Sequence, residues 1–389
     1  MSNIGIIAEF NPFHDGHKYL IDKARTMLDI DNVTVVCSGN FVQRGLPAIF
    51  SKKARAKMAL DCGVDLVLEL PTVFSLADAG TFAKASVSTL DKCGVIDYLI
   101  FGAECNDINI LDEIADVLYN EPNSFKCALK EFLSTGDSYP LARQKALESY
   151  FKRNINNVIS GSNNILAIEY LIALKELNSS IKPVCIKRIG EGYQSLNMDS
   201  TYPSATAIRQ SIENNEHIDL GYNYPENFLE LNDFSLILGH LLTKNIDDYI
   251  KNNEFKNRIK NLSDSFIDFE SFAKNIKAKN MTYTATLRNL FRLVLDIKYK
   301  DLDIISNNYN NYATILGFNK NSDILSQIKK RGVINLVSKI SDFSKTCSSV
   351  DKLILDINLR ADEIYRKVYM NKYKTVIPNE FRRQIVIKK

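Results

Sequence analysis

Apolar positions along the chain fall into two regimes. Up to about residue 215, short apolar runs alternate with stretches in which apolar residues recur every three to four positions. The runs Ile4–Ala8, Val33–Cys37, Val64–Leu70, Tyr98–Phe101 and Ile181–Ile186 predict buried strands. Residues Lys18–Leu28 carry Leu20, Ile21, Ala24 and Leu28 on one helical face. Helices are predicted likewise over Lys52–Cys62, Ala77–Cys93, Ile110–Tyr119, Ser124–Ser134, Ile165–Leu177 and Ala205–Asn214. Strands alternating with helices predict an α/β domain on a parallel, Rossmann-like sheet with right-handed crossovers, and a ligand at the carboxyl ends of its strands. Beyond a boundary near 213–224 the pattern becomes helical, over Glu226–Leu242, Ser265–Ile276, Tyr283–Lys298, Ser322–Ile328 and Val350–Lys367. The expected organisation is therefore a parallel-sheet domain, residues 1–215, followed by an all-helical domain, residues 216–389.

The first strand runs into Asn11-Pro12-Phe13 and then His14-Asp15-Gly16-His17, which opens the first helix. A helix N-terminus presents unpaired N–H groups and a positive dipole end, a natural seat for phosphate. Imidazoles at that seat can donate to phosphoryl oxygens as charge builds. Only four histidines occur in 389 residues, so the pair favours a nucleotide site over a surface turn. Zinc fits less well, because two ligands on one turn lack a third and fourth. A second helix start, Ser204-Ala205-Thr206-Ala207-Ile208-Arg209, offers hydroxyls and a cation, although Ser or Thr there is also an ordinary cap. Lys18 and Lys53 are further candidate phosphate cations.

The string Gly5 to His17 resembles the HxGH signature of the nucleotidylyltransferase superfamily and, more narrowly, the bacterial tRNA(Met) cytidine acetate ligase family. Further matches follow in order: Ser38-Gly39-Asn40-Phe41-Val42-Gln43-Arg44-Gly45, Phe101-Gly102-Ala103-Glu104, Asn163-Asn164 with Glu169-Tyr170, Lys187-Arg188-Ile189-Gly190 with Gly192-Tyr193, and the Ser204 to Arg209 segment. Asp15 stands where the family usually has Asn, placing a negative charge beside the phosphates, and Ser162 stands where Pro is expected. The resemblance implies a nucleotidylyltransferase (HUP-type) domain whose ATP site is formed by Ile7, Ala8, Glu9, Phe10, Asn11, Pro12, Phe13, His14, Asp15, Gly16, His17, Lys18, Tyr19 and Leu20. Gly102, Asn163 or Asn164, Arg188, Ser204, Thr206 and Arg209 complete it, with His14 and His17 catalytic. It also implies an ATP-dependent ligase: acetate forms acetyl-adenylate with release of pyrophosphate, and acetyl passes to the exocyclic amine of the wobble cytidine of elongator tRNA(Met). Mg²⁺ would help neutralise the pyrophosphate, and no acidic cluster in the sequence marks a metal site. Asn40, Phe41, Gln43 and Arg44 are expected to meet the cytidine, and Arg288 and Arg292, four apart on one helix face, the tRNA backbone.

Composition narrows the setting. Hydrophobic residues make up 45% and charged residues 24% of the chain, as in ordinary globular proteins. No apolar run is long enough for a membrane span, no basic and apolar leader opens the chain, and the seven cysteines show no CxxC spacing, so a cytoplasmic protein is expected, without a membrane or an evident protein partner. Net charge is only +3, but from Ala361 onward eight Lys/Arg face three acids, leaving about −2 for the remainder. Such a tail, interleaved with Tyr365, Tyr369, Tyr373 and Phe381, suits either an RNA backbone or plain solvation. Two other readings share parts of this pattern. One is an adenylyltransferase acting on a small phosphorylated acceptor such as phosphopantetheine or nicotinate mononucleotide. The other is a non-catalytic RNA-binding protein on a nucleotide-binding fold.

Overall fold

The computed structural model describes residues 2–153, 155–189, 202–214, 216, 221–278, 281–306, 309 and 311–389. Its centre is β1 (Ser2–Ala8), paired in parallel with β2 (Ile30–Ser38) on one side. A short hairpin follows β2, formed by β3 (Phe41–Val42) and β4 (Leu46–Pro47). Beyond β2 lies β5 (Leu66–Leu70). On the other side of β1 come β6 (Tyr98–Ala103) and β7 (Lys182–Lys187), also parallel. Successive side chains leave a strand on opposite faces. Thus Val35 joins a core with Ile4, Ile6, Ile21 and Ala59, while Val36 joins the core holding Leu68, Leu90 and Leu171. Helices α1 (Asp15–Met27) and α2 (Lys52–Asp61) cover the first face. Helices Ala79–Lys92 and Ser162–Glu176 cover the second. The chain switches sides of the sheet between β1 and β6, and a crevice opens there at the strand ends.

The second half departs from the helices-only expectation. The strands β8 (Tyr312–Asn319), β9 (Asn335–Val337) and β10 (Val386–Lys388) extend the sheet past β5. β8 runs antiparallel to β5, pairing Leu66 with Phe318 and Glu69 with Thr314. Its residues 312–317 are all buried, so it shows no alternation of buried and exposed positions. The predicted helix Glu226–Leu242 shortens to a 3₁₀ turn, Leu231–Phe234, and a helix over Ser235–Leu242. The last predicted helix lengthens to Ser349–Tyr373. All seven cysteines are free, and burial pushes the Cys37 thiol up to about 11 and that of Cys93 to about 12.

The long helix Ser349–Tyr373 is locked to the sheet by buried charge. Lys52 Nζ meets Glu69 Oε1 at 2.7 Å, Asp362 Oδ2 at 2.6 Å and Glu380 Oε2 at 3.0 Å. Asn358 donates to Glu69 and accepts from the Thr72 backbone, and the Tyr365 hydroxyl donates to the Ala48 carbonyl. Burial disfavours the Lys52 ammonium, but Asp362, Glu380 and Glu69 outweigh it and hold its pKa above the ordinary range. Replacing Lys52 by Met leaves the buried carboxylates of Glu69 and Asp362 without their cation, so the variant should lose about 3–5 kcal/mol, read from its urea unfolding midpoint against wild type.

Candidate nucleotide site

Two imidazoles cap the start of α1. His14 is the N-cap residue, and its Nδ1 accepts the Gly16 N–H at 3.0 Å. His17 Nδ1 in turn accepts the His14 N–H at 3.2 Å. With Nδ1 occupied as an acceptor, each neutral ring carries its proton on Nε2, as a donor. The rings lie 3.9 Å apart between centroids, and Phe10 packs edge-on against His17. Burial, then Arg188 and Arg209, lower the His14 pKa to about 3. Burial, then His14 and Arg188, hold His17 well below its ordinary value. Both rings are therefore neutral donors at physiological pH.

They line a cavity at the crevice between β1 and β6. Its floor is the end of β1 and the turn beyond it, Ile6 to Asn11, and Phe101 and Gly102 at the end of β6 form one wall. A side chain on Gly102 would place its Cβ 3.1 Å from Arg188 Cγ, so glycine keeps this wall open. Arg188, just beyond β7, and Ser204, Ala205 and Arg209 at the start of the helix Ala205–Glu213 close the opposite side. Ser204 caps the helix Ala205–Glu213 through its Oγ, so a second helix N-terminus faces the same space. Arg209 donates to the Asn11 carbonyl at 2.6 Å and to Thr206 Oγ1 at 3.1 Å, which fixes its guanidinium at the rim. Gln43 and Arg44, on the hairpin after β2, complete the lining with Asn163 and Tyr170.

Most residues expected at the site do line this cavity: Ile7, Ala8, Glu9, Phe10, Asn11, His14, His17, Leu20, Gly102, Asn163, Arg188, Ser204, Arg209, Gln43 and Arg44. Others are placed elsewhere, for identifiable reasons. Phe13 is fully buried under the motif, and Pro12 is buried beside it. Gly16 spends its N–H on His14, and Tyr19 packs on Tyr202. Lys18 is exposed and paired with Asp22, and Lys53 borders a different cavity. Thr206 holds Arg209 instead of lining the pocket. The Asp15 carboxylate accepts the Tyr222 hydroxyl at 2.6 Å and lines a separate groove, so its charge does not sit among the pocket groups. Of the two asparagines, Asn163 reaches the cavity. Asn164 is fully buried, with Oδ1 accepting the Cys105 N–H and Nδ2 donating to the Val158 carbonyl.

The expected cytidine and tRNA contacts need correction. Phe41 is fully buried against Phe234, Phe291 and Tyr365 and has no face left for a base. Asn40 is 5% exposed, accepts the Lys52 N–H and donates to Asp362. Arg288 and Arg292 are half-buried, not solvated, and Arg288 donates to the Gln43 carbonyl at 3.1 Å. The basic tail is largely committed as well: Arg366 grips Glu363, Lys372 meets Asp233, Arg383 meets Glu380, and Lys388 caps the Leu60 carbonyl. Gly190, Gly192 and Tyr193 lie outside the described residues.

Three supporting groups were not among the expected site residues. Glu104 caps the helix Ser162–Glu176, accepting the Asn163 side chain at 2.6 Å and the Asn164 N–H at 2.8 Å. Tyr224 donates to the Phe13 carbonyl, clamping the histidine turn from the second half. Arg55, fully buried in α2, donates to the Glu9 and Ser38 carbonyls where β1 and β2 end. Among the described residues no group of three or more His, Cys, Asp or Glu is placed to hold a metal ion, and no helix is long and apolar enough to cross a membrane.

Because folding keeps His14 neutral down to about pH 3, while an unfolded histidine protonates near 6.5, the unfolded chain takes up a proton that the folded chain refuses. Stability should therefore fall on acidification from pH 6.5 towards 3, by up to about 1.4 kcal/mol per pH unit for each such ring. Unfolding titrations of wild type and His14→Asn across pH 4–7 should show the shallower slope in the variant.

The model of the HIGH nucleotidyl transferase family matches residues 1–379. The chain is 39% identical to the tRNA(Met) cytidine acetate ligase of Acetivibrio thermocellus over the full length of both proteins. Against the enzyme of that name from Halothermothrix orenii identity is 35%, covering 95% of this chain and 94% of the other. Among solved structures, apo Thermotoga maritima TmcAL superposes with a TM-score of 0.93 at 29% identity, covering 100% of this chain and 99% of that one. The same protein bound with alpha-thio ATP gives a TM-score of 0.89 at 30% identity, with the same coverage. By sequence along its whole length and by fold, the chain is a HIGH nucleotidyl transferase and belongs to the tRNA(Met) cytidine acetate ligase family.

Proposed function

We propose that this protein activates acetate with ATP and passes the acetyl group to the wobble cytidine of elongator tRNA(Met). The observation that supports this most is the pair of neutral Nε2–H donors at the start of α1, in one cavity with Arg188 and Arg209. A triphosphate laid across that cavity would meet His14 and His17 at its α- and β-phosphate oxygens. The Ser204 helix end and Arg209 would meet the β- and γ-phosphates. Gly102 would let the adenosine lie against the backbone at the end of β6.

An acetate oxygen then attacks the α-phosphorus. A phosphorus–oxygen bond forms to acetate, the bond to the β-phosphate oxygen breaks, and pyrophosphate leaves. Charge grows on oxygens already faced by fixed donors, so little reorganisation is needed at that moment. Mg²⁺ bound with the triphosphate would help neutralise the pyrophosphate as it leaves; Glu9 is a carboxylate in the lining and accepts the Gln43 N–H at 2.7 Å. In the second step the cytidine amine attacks the acetyl carbonyl. The new carbon–nitrogen bond replaces the carbon–oxygen bond of the mixed anhydride, AMP leaves, and the amine proton passes to solvent. The donors that bound the transferring phosphate now stabilise the departing one.

Acetate-dependent exchange of labelled pyrophosphate into ATP measures the first step alone. His17→Ala removes one oriented donor and should lower that exchange about 100-fold or more, with tRNA binding within about twofold of wild type. Exchange that requires phosphopantetheine or a mononucleotide in place of acetate would overturn the reading.

A further inference from the structure

A second cavity, of about 650 Å³, abuts the nucleotide cavity and shares its walls. Gln43 lines both. The helix Ser162–Glu176 turns Asn163, Leu166 and Tyr170 to the nucleotide and Ile165, Ile168 and Glu169 to the neighbour. The helix Ala79–Lys92 does the same with Phe82 on one side and Gly80 on the other. The outer wall comes from the second half of the chain, through Thr282, Thr284 and Arg288. This volume falls in the range of small-molecule sites; apolar side chains such as Phe125, Leu147, Ile165 and Ile168 supply much of its surface, and polar groups including Asp78, Glu121, Gln144, Arg143, Glu169 and Arg288 are set among them.

Those polar groups have a definite chemistry. Arg143 donates to Glu169 Oε1 at 2.7 Å, which holds the carboxylate in place within the lining. A Cβ on Gly80 would lie 3.2 Å from Glu169 Oε2, so glycine leaves room beside that oxygen. A carboxylate accepts the exocyclic N–H of cytosine and repels the O4 of uracil. Arg143 and Arg288 supply donors that suit the ring N3, O2 or a neighbouring phosphate. Bases presented for chemistry are extruded into apolar pockets and read on this edge.

We propose that this cavity receives the acceptor cytosine, with Glu169 accepting its amine N–H beside the acyl-adenylate. The assignment rests on the ligase reading above and adds to it the site and the base-reading residue. It also gives the Arg288 helix a role: that element forms the outer wall of the base pocket and steadies Gln43 on the shared one.

Two variants test it on the full-length protein. Glu169→Gln exchanges the carboxylate for an amide, and Ile165→Trp fills the cavity from a partly exposed position. Both should leave acetate-dependent pyrophosphate exchange within about twofold of wild type and lower acetyl transfer to unmodified elongator tRNA(Met) about tenfold or more. Glu169→Gln should also narrow the preference for that tRNA over a transcript carrying uridine at the wobble position, measured by competition. Unchanged transfer in both variants, or exchange that falls in step with transfer, overturns the assignment. A wild-type enzyme that neither exchanges nor transfers with acetate would instead sink the ligase reading itself.

Discussion

One guanidinium sets the shape on which everything else is built. Parallel strands that stop side by side leave carbonyl oxygens with no further ladder to join, and burying such groups unpaired is costly. At the end of β1 and β2 those oxygens belong to Glu9, Ser38 and Gly39, and Arg55 donates to all three while also holding Phe50. Its own charge is met by those backbone carbonyls and by the Cys37 sulfur, in a fully buried position. Three residues earlier on the same helix, Lys52 gathers the carboxylates of Glu69 and of the distant Asp362 and Glu380. One cation therefore fixes the loops that become the pocket rim, and the other fastens the C-terminal helix behind them. The rim is in place before any nucleotide arrives, which is what electrostatic catalysis asks of a site.

Within that frame the histidine turn works as neutral electrostatics. Charged imidazoles beside Arg188 and Arg209 would add repulsion to desolvation. The capping geometry instead leaves each ring uncharged with one proton to offer. Two helix N-termini and two arginines contribute positive potential from the sides, while the rings supply direction.

The nucleotide site was legible because its chemistry is local in sequence. A strand, a break and a capped helix lie within the first 27 residues, and the other contributing segments each follow a recognisable strand or open a helix. What escaped was long-range. Lys52 and Arg55 drew no notice in the sequence, since the partners of Lys52 lie as far away as residue 380 and those of Arg55 are backbone carbonyls. Asn40 and Phe41 sit in a loop that looked free, and only tertiary packing against Phe291, Tyr365 and Asp362 makes it core. The strand β8 escaped because Thr314 and Gly317 break up its apolar run and it stands among segments with helical periodicity. Asp15 shows the reverse case: its charge suggested interference with phosphate until Tyr222, 207 residues on, accounted for it.

The antiparallel seat of β8 beside β5 bears on how the protein is made. While the ribosome is still synthesising the middle of the chain, β5 has an open edge along Leu66 to Glu69, and the groups on that edge gain their partners only when Tyr312 to Asn319 emerges. A hydrophobic strand with an unsatisfied edge is a template for pairing between molecules. Premature termination before that point would release a polypeptide whose nucleotide-site sequences are all present but whose sheet is open to aggregation.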